Sequence, residues 1–440
     1  MNPSQPLLIT NARTLGAGTS DSLEATQILV ADGKVKAIVT GRADAPQQTD
    51  ARVIDVQGAL VTPGLVDIHV HLREPGETHK ETIATGTAAA ARGGWTTVCA
   101  MPNTVPDPHT PQLLAQVQEL IREHAVINVH AYSPITRGLT SDDVVDIIAQ
   151  AEAGAVGFSN DGKGVQKAGT MWRAMQLAAQ VNRPVATHAE DESIKGEGVI
   201  NEGEASARLD LPGIHRLAET VQVARDALIA EATGAHYHLC HASTVESMRI
   251  LRRAQADGVN MSAEATPHHL LLTDADIPAD DANWKVNPPL RSQLDAAAVL
   301  EGLNDGTISA IATDNAPHTD PEKHCSFRTG AFGLVTNEHS FALLYTHLVR
   351  TGKLSLRRLV ELLTTGPADL YHLDAGRLSV GVPADLAAYA LDSQSLIDPA
   401  AFVGMGHNNP FVNTPVQGDC VLTLCGGRVV NWQPTLGPQN

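Results

Sequence analysis

The stretch Gly64-Leu65-Val66-Asp67-Ile68-His69-Val70-His71-Leu72-Arg73 reads as a buried strand that delivers two imidazoles to one point. Leu65, Val66, Ile68, Val70 and Leu72 supply apolar, β-branched strand character, and the period of two puts His69 and His71 on one face together with Asp67 and Arg73. At the usual rise per residue the two histidine Cα atoms lie roughly 6.6 Å apart, within reach of a single metal ion. A His-X-His pair also suits two polar residues on a solvated face, so the pair alone leaves both readings open.

Outward from this stretch the chain alternates. Helical runs at 81–92, 111–123, 141–152, 170–181, 215–233, 244–256 and 293–304 separate strand-like runs at 96–101, 126–130, 155–158, 184–188, 236–241, 259–263 and 308–314. With the opening strand that makes eight βα units, a pattern that favours a closed (β/α)8 barrel over an open doubly wound sheet. Residues before and after this region have a different texture. Short β-rich runs at 7–10, 27–30, 35–39 and 52–56, with Asp32-Gly33 as a hairpin turn, are matched near the other end by 384–389, 421–424 and 428–430 around Gly426-Gly427. Neither terminal piece would bury much alone, so one small β domain built from both ends is expected.

Composition bounds the function. A chain of 440 residues that is 43% hydrophobic but only 3% aromatic can bury a large, aliphatic core. The net charge of −18 argues against nucleic-acid or acidic-membrane partners. Five cysteines without zinc-type spacing suggest reduced thiols and a cytoplasmic setting, and the first residues, Met-Asn-Pro-Ser-Gln-Pro, do not read as a signal peptide.

A barrel collects its chemistry at the carboxyl ends of its strands. Polar residues stand where the apolar runs stop: His69 and His71, Asn103 after the second run, Asn160-Asp161, His188, His241, Asn287 in the linker after the seventh run, and Asp314. Four imidazoles and two carboxylates on one rim suit zinc, and two metals could share them if one carboxylate bridges.

The segments Asp-Ile-His-Val-His-Leu-Arg-Glu-Pro-Gly (67–76), Cys-Ala-Met-Pro-Asn-Thr (99–104), Asn-Asp-Gly (160–162), His-Leu-Cys-His-Ala-Ser-Thr (238–244), Asn-Pro-Pro-Leu-Arg (287–291) and Ala-Thr-Asp-Asn-Ala-Pro-His (312–318) resemble, in this order, the dihydroorotases of the amidohydrolase superfamily. The resemblance implies a barrel over 64–373 and a small β-sandwich from 1–63 plus 374–440. It also implies two Zn2+ per chain, bridged by Asp161 and a hydroxide. His69, His71 and Asp314 would ligate one zinc and His188 and His241 the other, with Asp314 as proton carrier. His71, Arg73, Asn103 and His318 would meet the substrate, the last three at its carboxylate, with Asn287 and the backbone near Phe332-Gly333 at the ring. The reaction implied is reversible closure of N-carbamoyl-L-aspartate to L-dihydroorotate with loss of water. Hydantoinase and allantoinase relatives are alternatives, as is a non-catalytic partner of aspartate transcarbamoylase; association with that enzyme and a homodimer are assemblies compatible with the family.

Two positions depart from the family pattern: Asn160, where a second acid is common, and Asn315, where histidine is common. Neither removes a ligand, so an altered rate is expected rather than loss of function. Lys163 is near enough to raise a carboxylated-lysine bridge but follows a glycine outside the strand. His236, His238, His268 and His269 read as packing residues, Cys240 as core on the face opposite His241, and residues 317–336 as a mobile loop at the mouth.

Overall fold

A computed structural model describes residues 5–41 and 50–433; the amino-terminal residues 1–4 read above lie outside it. Eight parallel strands follow one another around a barrel: Leu65–Val70, Trp95–Ala100, Asn128–Ala131, Phe158–Ser159, Val185–Thr187, Tyr237–Leu239, Met261–Ala265 and Ala310–Ile311. Strands one to three pair in one arc and strands four to eight in another. The arcs join through parallel bridges Ser133 to Phe158 and Val70 to Asn315, where the His71 N–H donates to Asn315 O at 3.0 Å.

The helices start where capping chemistry allows. Thr82, Thr110, Thr244 and Ser292 each accept a backbone N–H from the first turn of the helices Ile83–Arg92, Pro111–His124, Val245–Ala256 and Gln293–Asp305. The third helix is a correction. Expected from residue 141, it spans only Ile147–Glu152, because Val144 and Val145 stay extended, Val145 N–H donates to Ile135 O, and Asp146 caps the helix. The fifth βα connection holds an insertion that the alternation did not reveal, with short helices Glu192–Lys195 and Glu204–Leu209 and a paired Ile200–Asn201 and Gly213–Ile214.

Below the rim the barrel interior is solid. Val66, Ile68, Cys99, Met101, Tyr132, Ala186, Cys240 and Ala310 pack together with Tyr371, and the Tyr132 hydroxyl donates to Ile68 O at 3.0 Å. Both ends of the chain enter one eight-stranded sheet, in which Leu60–Pro63 and Leu386–Ala390 pair antiparallel and join the two halves. Leu60–Pro63 was not anticipated as a strand. At the two hairpin tips Asp32 and Gly33 lie at φ 52° and 72°, and Gly426 and Gly427 at 54° and 73°, the left-handed pair that a two-residue turn requires.

Candidate metal centre

The rim residues converge. His69 Nε2 lies 3.4 Å from Asp161 Oδ1 and 3.3 Å from Asp314 Oδ1, and His71 Nε2 lies 3.4 Å from Asp161 Oδ2 and 3.0 Å from Asp314 Oδ1. Across the barrel His188 Nδ1 and His241 Nε2 face each other at 3.0 Å, and His241 Nε2 is 3.6 Å from Asp161 Oδ1. Asp161 therefore stands between the two histidine pairs, and Asp314 beside only the first. All six side chains are buried.

Backbone geometry aims them. Arg73, His241 and Asp314 sit at φ 59°, 35° and 48°, a left-handed region that side chains other than glycine's enter at a cost of about 1–3 kcal/mol each. Each ends or follows a barrel strand, where the chain turns sharply over the rim.

Proton bookkeeping calls for a cation. Glu264 Oε1 accepts a hydrogen bond from His69 Nδ1–H at 2.6 Å, and Asn103 Oδ1 one from His71 Nδ1–H at 2.9 Å. A neutral ring in that tautomer turns its Nε2 lone pair toward the carboxylate oxygens, so the cluster needs positive charge, from a ring proton, as in the His71 Nε2 to Asp314 Oδ1 contact at 3.0 Å, or from a bound cation. Consistently, His69 Nε2 and Asp161 Oδ1 are buried without a hydrogen-bond partner. Burial alone would raise the Asp161 and Asp314 carboxyls; the facing imidazoles, protonated where no cation is bound, supply the positive charge that outweighs it and hold both well below the usual range. Among the described residues, ligand atoms close enough for one ion come from His69, His71 and Asp314, from His69, Asp161 and His241, and from His69, Cys240 and Glu264; His188, expected as a ligand, joins none of these groups and meets the cluster through His241.

Above the cluster a cavity of about 540 Å3 is lined by His71, Arg73, Asn103, Asp161, His188, His241, Asn287, Asp314, His318, Phe332 and Gly333. His69 lies deeper. The Arg73 guanidinium donates through Nε to Pro317 O at 3.2 Å and places Nη2 3.2 Å from His318 Nε2. Burial and Arg73 push His318 down to about 3, so its imidazole is neutral. Asn287 Nδ2 is 3.0 Å from His188 Nε2 and 3.1 Å from Glu190 Oε2. Gly333 has both backbone groups engaged, N–H to Lys285 O and carbonyl from Lys323 Nζ and Asn408 Nδ2.

Two carboxylates escaped the sequence reading. Glu264, fully buried on the seventh strand, also accepts from His238 Nε2 at 3.1 Å and the His241 N–H at 3.2 Å. Burial would raise it, but His69 and His238 hold it at about 2. Its signal was a lone acid inside Ser262-Ala263-Glu264-Ala265, just beyond where the strand seemed to stop. Glu190 pairs with Lys195 at 2.6 Å. Cys240 is core as expected, but its sulfur lies within 4.8 Å of the ligand atoms of His69 and Glu264, so it sits under the cluster rather than on a remote face.

Both departures from the family pattern are structural. Asn160 Oδ1 accepts from Ile135 and Thr136 N–H, and its Nδ2 donates to Thr136 Oγ1 and Leu139 O, a donor role no carboxylate could fill. Asn315 Oδ1 accepts from Thr336 and Asn337 N–H. Lys163 is exposed.

Residues 58–247 match the family model described as Dihydro-orotase-like. A dihydroorotase of Lactiplantibacillus plantarum is 51% identical over 429 residues, covering 97% of this chain and 99% of the relative; one of Bacillus caldolyticus is 49% identical over 408, covering 93% and 95%. Among solved structures, the L-hydantoinase (dihydropyrimidinase) of Arthrobacter aurescens superposes with a TM-score of 0.85 at 27% identity, covering 98% of this chain and 97% of that one. A dihydropyrimidinase of Brevibacillus agri has the same TM-score at 23% identity, covering 98% and 96%, a likeness of fold alone. The hydantoinase-like fold is thus shared widely, while the near-complete sequence match is specific: the chain belongs to the dihydroorotase family of cyclic amide hydrolases.

Proposed function

We propose that this chain interconverts N-carbamoyl-L-aspartate and L-dihydroorotate, the third step of pyrimidine synthesis. The observation that carries the reading is a fixed cation, Arg73, packed against neutral His318 at the edge of the cavity that holds the histidine–aspartate cluster. A guanidinium offers a planar fork that matches a carboxylate, the group that separates this substrate from hydantoins and allantoin. Asn103, with Oδ1 committed to His71, keeps its amide N–H atoms for the same carboxylate, and Asn287 faces the ring.

The donor set fits zinc: His69, His71 and Asp314 would hold one ion and His188 and His241 a second, with Asp161 between the two pairs available to both. Bound there, they would acidify water and polarise the ring carbonyl. Asp314, kept ionised by the imidazoles, accepts the proton of the water that adds to the ring amide and returns it to the departing nitrogen. Ring closure runs the same transfers in reverse. The barrel, 64–373, carries this chemistry, and 1–63 with 374–440 form the composite β domain. We place the enzyme in the cytoplasm, with a homodimer and a transcarbamoylase complex as its candidate assemblies; no described helix is long and apolar enough to cross a membrane.

The test is turnover of L-dihydroorotate at alkaline pH and of N-carbamoyl-L-aspartate at mildly acidic pH, on protein whose zinc has been counted. Activity with close to two zincs per chain is expected. Zinc without activity would redirect the assignment to hydantoins and allantoin, and absence of both after zinc is restored would make the chain a structural partner.

A further inference from the structure

The segment 402–411 belongs by sequence to the carboxyl-terminal β domain, yet it crosses the barrel mouth. Its first half is clamped by two carboxylates of the barrel: Glu338 accepts from Val403 N–H at 2.8 Å and Gly404 N–H at 3.0 Å, and Glu81 from Met405 N–H at 3.1 Å. Gly406 then lies flat on Pro317, where an added Cβ would come within 2.6 Å of the proline side chain. Next comes Asn408, 2% exposed. Its Oδ1 accepts the His318 N–H at 3.1 Å, and its Nδ2 donates to both Ala316 O and Gly333 O at 2.9 Å. Its backbone carbonyl accepts from Val335 N–H at 3.0 Å.

One amide therefore ties together the two chain segments that line the carboxylate end of the cavity, and every hydrogen-bonding direction it uses is complementary. Oxygen meets an N–H and nitrogen meets two carbonyls, a set that neither aspartate nor leucine, of similar size, can reproduce. The tied segments are tightly opposed: a Cβ on Gly333 would lie 2.8 Å from Ala316 Cβ and 3.1 Å from His318 Cδ2. Arg73 is drawn into the same knot, since its Nε donates to Pro317 O and its Nη2 meets His318.

We propose that Asn408 is a positioning residue for substrate binding: it sets His318 and the Ala316–His318 backbone, and through Pro317 O the Arg73 fork, at the place where the substrate carboxylate lands. The proposal rests on the dihydroorotase reading. The Asn408 side chain bonds the backbone of Ala316, His318 and Gly333 and none of the six residues proposed to hold metal, so its loss acts on binding rather than on the metal centre.

The experiment compares Asn408→Ala and Asn408→Asp with the unaltered enzyme in steady-state turnover of L-dihydroorotate, with zinc content and thermal melting measured on each. Expected is a rise in KM of tenfold or more in both variants, with kcat within threefold and zinc per chain unchanged. Gly406→Ala, which lifts the segment off Pro317 without removing a polar group, is expected to raise KM about threefold and decides the matter should Asn408 variants fail to fold. An unmoved KM in folded variants, or zinc lost together with kcat, would overturn the proposal alone. Absence of turnover by the unaltered enzyme would overturn it together with the functional reading.

Discussion

Replacing Glu264 by glutamine keeps its volume and burial but removes one acceptor oxygen. The carboxylate serves three donors, His69 Nδ1 at 2.6 Å, His238 Nε2 at 3.1 Å and the His241 N–H at 3.2 Å. An amide offers one oxygen, and its NH2 must face one of the two rings. If it faces His69, the ring tautomer reverses, Nε2 carries the proton, and that nitrogen ceases to be a ligand. Leaving a buried donor unmatched costs about 1–3 kcal/mol, and outer partners of metal-binding histidines are worth roughly 10- to 100-fold in metal affinity. The zinc dissociation constant, read by competition with a chromophoric chelator, is therefore expected to rise 10- to 100-fold, about 1.4–2.8 kcal/mol. Circular dichroism should show the fold retained. A folded Glu264→Gln protein whose zinc affinity stays within threefold of the parent would refute the argument, because neither a reversed His69 nor an unmatched His238 would then weaken the site.

Asp314→Asn should leave zinc largely bound while lowering turnover by several orders of magnitude; near-normal turnover would remove Asp314 as proton carrier. Arg73→Lys should raise KM for L-dihydroorotate about tenfold, the worth of a lost bidentate fork, and an unchanged KM would count against the carboxylate assignment. His236 gives a stability signature in pH. Burial, with His238 next, depresses it from its ordinary 6.5 to about 3, so the folded state holds it neutral. Its contribution is complete above pH 6.5 and is lost as pH falls from 6.5 toward 3. By pH 4.5 the loss is about 3 kcal/mol, and His236→Gln should flatten the denaturant-midpoint profile over that window. An equally steep profile would show that other groups carry the acid sensitivity.

The parts of this molecule that were legible in its sequence are those where a local signal and a tertiary demand coincide. Polar residues at the ends of seven of the eight apolar runs, or just beyond them, describe both a strand and a candidate rim, which is why His69, His71, Asp161, His188, His241 and Asp314 could be picked out from the sequence. Glu264 could not. A single acid in an otherwise apolar strand looks like an exposed position, and only the convergence of His69 and His238 across neighbouring strands makes its burial tolerable. Asn408 was hidden for another reason. It lies in a stretch without periodicity, and its partners are 75 to 92 residues away in the chain. The third helix was misjudged because the polar run 141–146 has helix-like spacing, while the bridge of Thr136 to Val144 claims those residues for the loop. Likewise the loop 317–336, rich in glycine and polar residues, is cross-tied by buried Lys323, whose Nζ donates to Lys285 O, Ala331 O and Gly333 O.

The barrel closes where its first strand meets its last, at Val70 and Asn315, and that junction separates residues made more than two hundred positions apart. His69, His71 and Arg73 stand on one lip of it, Asp314 and His318 on the other. A growing chain thus possesses its first histidines early but no complete pocket until the eighth strand has emerged and docked. An ion bound by the finished rim would act as a rivet across the last joint to form. Barrel and pocket are completed in the same event.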